Sequence, residues 1–173
     1  MAKAKRIFVI ADFKDESAKS VRMQPRMWVK GLIRLGHDVQ RFSYRNMMLQ
    51  YSFFGSKKIA LNFARKKIEH ILVEQLKQYN PDIVFILGLK YIDETTVLAM
   101  RNVARKAVFV SRDDDPFPDK DLNRIAIAKQ TDILIATSSG RFLKTYKDAG
   151  ISLCAFIPNV CDPDLQRKWD VGQ

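Results

Sequence analysis

The sequence predicts an α/β domain: an open parallel sheet of about six strands with helices on both faces. Three observations carry this reading. Short, nearly continuous apolar runs recur along the chain. Stretches with helical periodicity separate them, and Gly, Pro and Asp mark the boundaries between the two kinds of segment.

The elements follow in order. Arg6–Ala11 is an uninterrupted apolar run, as expected of a central parallel strand covered on both faces. Asp12–Lys19 is polar and reads as a loop. From Val21 to Leu35 the pattern is helical, with Val21, Pro25, Trp28, Leu32 and Leu35 on one stripe. Pro25 belongs in the first turn, because a deeper proline removes a backbone hydrogen bond. Gly36 is a helix stop, and Asp38–Ser43 is a second strand.

Tyr44–Ser56 reads as irregular and apolar, with Met47, Met48, Tyr51, Phe53 and Phe54. A long helix over Lys57–Tyr79 follows, with Leu61, Ala64, Ile68, Ile71, Leu72 and Leu76 inward. Asn80-Pro81-Asp82 breaks it before the buried strand Ile83–Leu87. Asp93–Arg105 reads as a helix and Ala107–Ser111 as a strand. Asp113-Asp114-Asp115-Pro116 comes next, then a helix over Asp119–Gln130, the strand Ile133–Ala136, the helix Ser139–Asp148 and a last strand near Ala155–Ile157. Residues 1–158 form one domain in this reading, and residues 159–173 a linker or terminal stub.

At 173 residues and 47% hydrophobic content the chain has the size and composition of one domain with a single core. A net charge of +11 calls for an acidic partner: nucleic acid, an anionic membrane leaflet or a phosphorylated substrate. Cys154 and Cys161 are too few for a disulfide framework and read as reduced thiols. The run Ile7–Ala11 is too short for a signal peptide, and acids follow it at once. No window is apolar over the ~18 residues of a membrane span. The expectation is a soluble, cytoplasmic chain.

Ligands of such sheets bind beyond the carboxyl ends of the strands. That singles out Asp12–Lys19, Leu87–Tyr91, Arg112–Pro116 and Thr137–Gly140. After the first strand stands Asp12-Phe-Lys-Asp-Glu, where a dinucleotide site would want Gly-x-Gly-x-x-Gly, so no bound NAD or FAD is expected. The acids Asp113–Asp115 admit several readings. They could hold a divalent metal, accept a proton from a hydroxyl, or simply form a turn and cap a helix.

Arg22, Arg26, Lys30 and Arg34 recur at intervals of four on the first helix, and Lys57, Lys58, Arg65, Lys66 and Lys67 form a second cluster. Such faces are solvated, or they dock on an anionic bilayer together with the neighbouring Met47–Phe54 segment. That segment also reads as core filler.

Taken together, the helix ending Leu32-Ile-Arg-Leu-Gly-His-Asp-Val39, then Pro81-Asp-Ile-Val-Phe85, Arg112-Asp-Asp-Asp-Pro116, Asp132…Ser138, Gly150 and Ile157-Pro-Asn-Val-Cys-Asp162 resemble a known order. It is similar to the N-terminal, Rossmann-like domain of GT-B glycosyltransferases of family four, and especially to their CgeB-like (spore-maturation-type) branch. The resemblance implies transfer of a sugar from a nucleotide-sugar donor to a glycan, lipid or protein acceptor. It implies no metal and no cofactor.

In that family the N-terminal domain mainly binds acceptor, and a C-terminal domain, absent from this chain, holds the donor. With the basic faces read above, the expectation is a cytoplasmic enzyme that can sit peripherally on an anionic membrane surface, with no nucleic-acid partner. On this implication Asp113 and Asp114 are the catalytic candidates. Asp12, Lys14, Arg22, Arg26, Arg112 and Ser138 are the candidates for acceptor or cleft contacts. Many relatives carry a Gly-rich loop where Asp12-Phe-Lys-Asp stands, and a His where Arg112 stands. The alternative is a stand-alone, non-enzymatic α/β binding module recruited to anionic membrane or nucleic acid through its basic face.

Overall fold

A computed structural model of the chain describes residues 3–13, 23–51, 57–89, 92–114, 122–151 and 153–164. The expected segments Asp12–Lys19, Tyr44–Ser56 and Asp119–Gln130 therefore fall partly outside the described residues, as do Lys14, Arg22, Phe53, Phe54 and Asp115 and the side chain of Leu61.

Six strands form one sheet: β1 (Arg6–Ala11), β2 (Asp38–Ser43), β3 (Ile83–Leu87), β4 (Val108–Asp113), β5 (Ile133–Ala136) and β6 (Cys154–Phe156). Every pairing is parallel, in the order β2-β1-β3-β4-β5-β6. The helices are α1 (Met23–Arg34), α2 (Tyr44–Gln50), α3 (Lys57–Tyr79), α4 (Glu94–Val103), α5 (Leu122–Lys129) and α6 (Arg141–Asp148). The expected α/β sheet is the observed one.

The two faces are covered unequally. On one, Ile7, Val9, Ala11, Phe85 and Leu87 pack under Trp28, Val29 and Leu32 of α1. On the other, Phe8, Ile10, Val84, Ile86, Phe109 and Leu134 meet Ile68, Leu72 and Leu76 of α3, Met100 of α4, Ile127 of α5 and Tyr146 of α6. The alternation along each strand sends neighbours to opposite faces. This explains why β1 and β3 are apolar throughout, whereas an exposed face would show polar residues at every second position.

Aspartates tie the amino ends of the strands. Asp82 Oδ2 accepts from the Arg6 N–H at 2.8 Å, and Asp132 Oδ2 accepts from the Phe109 N–H at 2.7 Å. Pro25 lies in the first turn of α1, as expected. Gly36 and Gly150 close α1 and α6 with φ of 82° and 91°. In each case the glycine N–H bonds three residues back and the following N–H five residues back, a left-handed cap that disfavours any side chain.

Two expectations are corrected. The segment from Tyr44 is not irregular: α2 runs over Tyr44–Gln50 and buries Tyr44 and Met48, one helical turn apart. The apolar stripe of α1 holds at Trp28 and Leu32, but Met27 and Val29 are buried beside them and Leu35, just past the helix, is 73% exposed.

Candidate functional site

The sheet reverses its order between β1 and β3. Chain connections leave in opposite directions there and open a crevice at the carboxyl edge. Asp12 follows β1 directly and is buried, with Arg45 Nη1 3.6 Å from its Oδ2. Gly88 follows β3, and its N–H donates to the Arg112 carbonyl at 3.1 Å.

β4 runs two residues further than its apolar stretch, so Arg112 and Asp113 lie inside the strand. Alternation then separates them. Asp113 faces α5 and α6, where its Oδ2 accepts from both Arg124 nitrogens, Nε at 3.1 Å, and from the Tyr146 hydroxyl. Asp113 and Arg124 are 5% and 2% exposed. Burial, with the Asp113 hydrogen bond and charge, pushes the Tyr146 phenol far above its ordinary value, so it stays a neutral donor.

Arg112 points to the opposite face and, at 1% exposure, is the largest fully buried side chain among the described residues. Its Nη1 lies 3.1 Å from Asp114 Oδ2, its Nη2 donates to Asn159 Oδ1 at 2.5 Å, and its guanidinium carbon sits 6.0 Å above the Trp28 ring. Asp114 is 47% exposed. Of the two expected catalytic acids, Asp114 alone is presented to solvent. The Asp113 carboxylate lies in a buried ion pair that braces three elements.

Ser138 is half-buried in the turn after β5, but it does not open a helix. α6 starts at Arg141 with Gly140 as its cap residue, two residues later than expected. Thr137 beside it donates its N–H to the Asp113 carbonyl at 3.0 Å. Arg26 lines a groove with Lys30, Arg34 and Arg41. The structure thus brings Arg112, Asp114 and Asn159 together. Asp12 and Asp113 lie on the same edge, with the Asp113 side chain turned to the other face of the sheet.

After β6 the chain crosses the outside of α1. Gln24 Nε2 donates to the Val160 carbonyl at 3.0 Å, and Lys30 Nζ donates to Asp162 Oδ2 at 2.5 Å and Asp164 Oδ2 at 2.8 Å. Residues 159–164, expected as linker, are therefore strapped to the domain. The basic stripe of α1 is partly the anchor for this strap.

Sequence reasoning missed Arg124, Tyr146 and Asn159. Arg124 left a signal: a lone cation on the helical stripe that continues to Ile127 and Ala128. Tyr146, among Lys144, Lys147 and Asp148, left none.

Among the described residues no group of three or more His, Cys, Asp or Glu is arranged to hold a metal ion, and no helix is long and apolar enough to cross a membrane. No family model matches the chain, and no curated protein matches it.

Proposed function

We propose that the chain is the acceptor-binding N-terminal domain of a metal-independent glycosyltransferase, working with a C-terminal domain that holds a nucleotide sugar. One observation supports this best: residues far apart in sequence converge on one end of the sheet. Asp12 follows β1, Arg112 and Asp114 end β4, and Asn159 follows β6, with Arg112 touching the last two. Asp114 and Asn159 lie in two of the motifs on which the resemblance rests, whereas Asp12 and Arg112 stand where many relatives carry other residues.

The chemistry asks little of such a half-site. The acceptor hydroxyl oxygen bonds to the anomeric carbon, the bond to the nucleoside diphosphate breaks, and the hydroxyl proton passes to a base or to the departing diphosphate. Asp114, held by the Arg112 guanidinium and open to solvent, is the carboxylate suited to orient the acceptor hydroxyl and receive its proton. Asp12 is suited to grip a neighbouring hydroxyl. Both acids need the second domain opposite them, since positioning supplies much of the rate.

The test is nucleoside diphosphate release by the longer gene product against a panel of nucleotide sugars and acceptors. Turnover is expected from the two-domain protein and not from this chain. Asp114→Asn should lower kcat by about 10²–10⁴-fold, the usual contribution of general acid–base catalysis. Absence of turnover with every donor, or full activity in Asp114→Asn, would overturn the reading.

A second reading is favoured by a separate observation. The cations Arg26, Lys30 and Arg34 share one side of α1 with the exposed Ile33, an arrangement that suits a non-enzymatic module docked on an anionic surface.

A further inference from the structure

The basic side of α1 is concave. Arg26, Val29, Lys30, Ile33 and Arg34 lie three or four residues apart along it, and Arg41 of the edge strand β2 faces them across an open groove of about 630 Å³. That volume is in the range of small-molecule sites, about 300–1,000 Å³. Val29 is buried and gives the groove an apolar floor.

The groove already meets anions from its own chain. Asp162 is nearly fully buried, accepts from Lys30, and is held in place by the Asp164 N–H, which donates to Asp162 Oδ1 at 2.9 Å. Asp164 is held differently. Its carboxylate is 43% exposed and, among the described residues, rests only on Lys30 and Arg34, themselves 38% and 52% exposed. The Lys30 and Arg34 hydrogen bonds hold the Asp164 carboxyl below its ordinary value, and those from Lys30 to Asp162 and then Asp164 hold the Lys30 amine above its own. Across the groove the Arg41 guanidinium lies 5.4 Å above the Phe13 ring and makes no ion pair among the described residues.

We propose that this groove binds a small solute carrying a diphosphate group, and that Asp164 stands where one of its oxygens binds. Guanidinium groups on both walls and an ammonium between them suit a multi-oxygen dianion better than they suit one carboxylate. The ligand takes Lys30 and Arg34 from Asp164 and gains Arg41. Binding therefore frees the end of the strap from α1 while the buried Asp162 keeps its place. This inference stands apart from the transferase reading, since it concerns the groove between α1 and β2 and not Arg112, Asp114 and Asn159.

Calorimetry of the 173-residue chain with inorganic pyrophosphate at low salt tests it. Binding should weaken about tenfold in Arg41→Ala, the loss of one charge-assisted hydrogen bond, and stay within about threefold of the parent in Arg41→Lys, which keeps the charge. It should tighten in Asp164→Asn, where the internal competitor is gone. Circular dichroism of each variant separates loss of site from loss of fold.

Flotation with phosphatidylglycerol vesicles distinguishes a lipid headgroup from a free solute. Flotation without pyrophosphate binding would overturn the proposal. So would pyrophosphate binding that ignores Arg41→Ala, or an Asp164→Asn variant that binds no tighter than the parent.

Discussion

Arg112 and Asp113 are neighbours in sequence with opposite tasks, because a strand turns consecutive side chains to opposite faces. Asp113 closes a buried set with Arg124 and Tyr146, while Arg112 carries Asp114 and Asn159 on the side of α1. Removing one member of a buried pair takes the counter-charge from the other, so Arg124→Met should lower stability by about 3–5 kcal/mol. Urea unfolding checks this; a variant as stable as the parent would contradict the bracing role. The acid run was visible in the sequence, but its division was not. Ending β4 at Ser111 hid the alternation that buries one acid and leaves the next exposed.

Among the elements, β1 and β3 were legible because parallel strands buried on both faces read as apolar runs. α2 was not: it is two turns long, and Ser43 before it makes no side-chain cap bond that would mark its start. α4 is the opposite case. Asp93 caps it, accepting from the Thr96 N–H at 2.9 Å and from the Thr95 and Thr96 hydroxyls, and it also pairs with Arg65. Burial works against the Asp93 charge, but these donors outweigh it and hold its carboxyl below 3.8. A carboxyl depressed in the folded state stabilises above its ordinary range and loses that contribution as pH falls through the folded value. Asp93→Ala should therefore be less stable by about 0.5–2 kcal/mol near neutral pH, the usual worth of such a cap. Urea titrations across pH should find the gap closing as pH falls below 3.8. A gap that is constant with pH would contradict this.

At the scale of the whole molecule, one chain segment links the two regions that carry functional readings. It leaves β6, gives Asn159 to Arg112 at the carboxyl edge, and crosses α1 to end on Lys30 and Arg34 at the basic groove. The sequence marked both ends of this path, as a closing motif and as a basic stripe. Their contact was not legible, because Asp162 and Asp164 lie more than a hundred residues from the cations they meet. Side-chain pairing at that separation leaves no local pattern. The carboxyl edge, by contrast, was legible as four segments from topology alone.

The central claim is that this edge is the working site. Amide chemical-shift mapping of the chain with a panel of acceptor oligosaccharides tests it most directly. The account predicts shifts gathered at Asp12, Phe13, Gly88, Arg112–Asp114, Ser138 and Asn159. Shifts confined to α1 and β2, or none with any glycan, would contradict it.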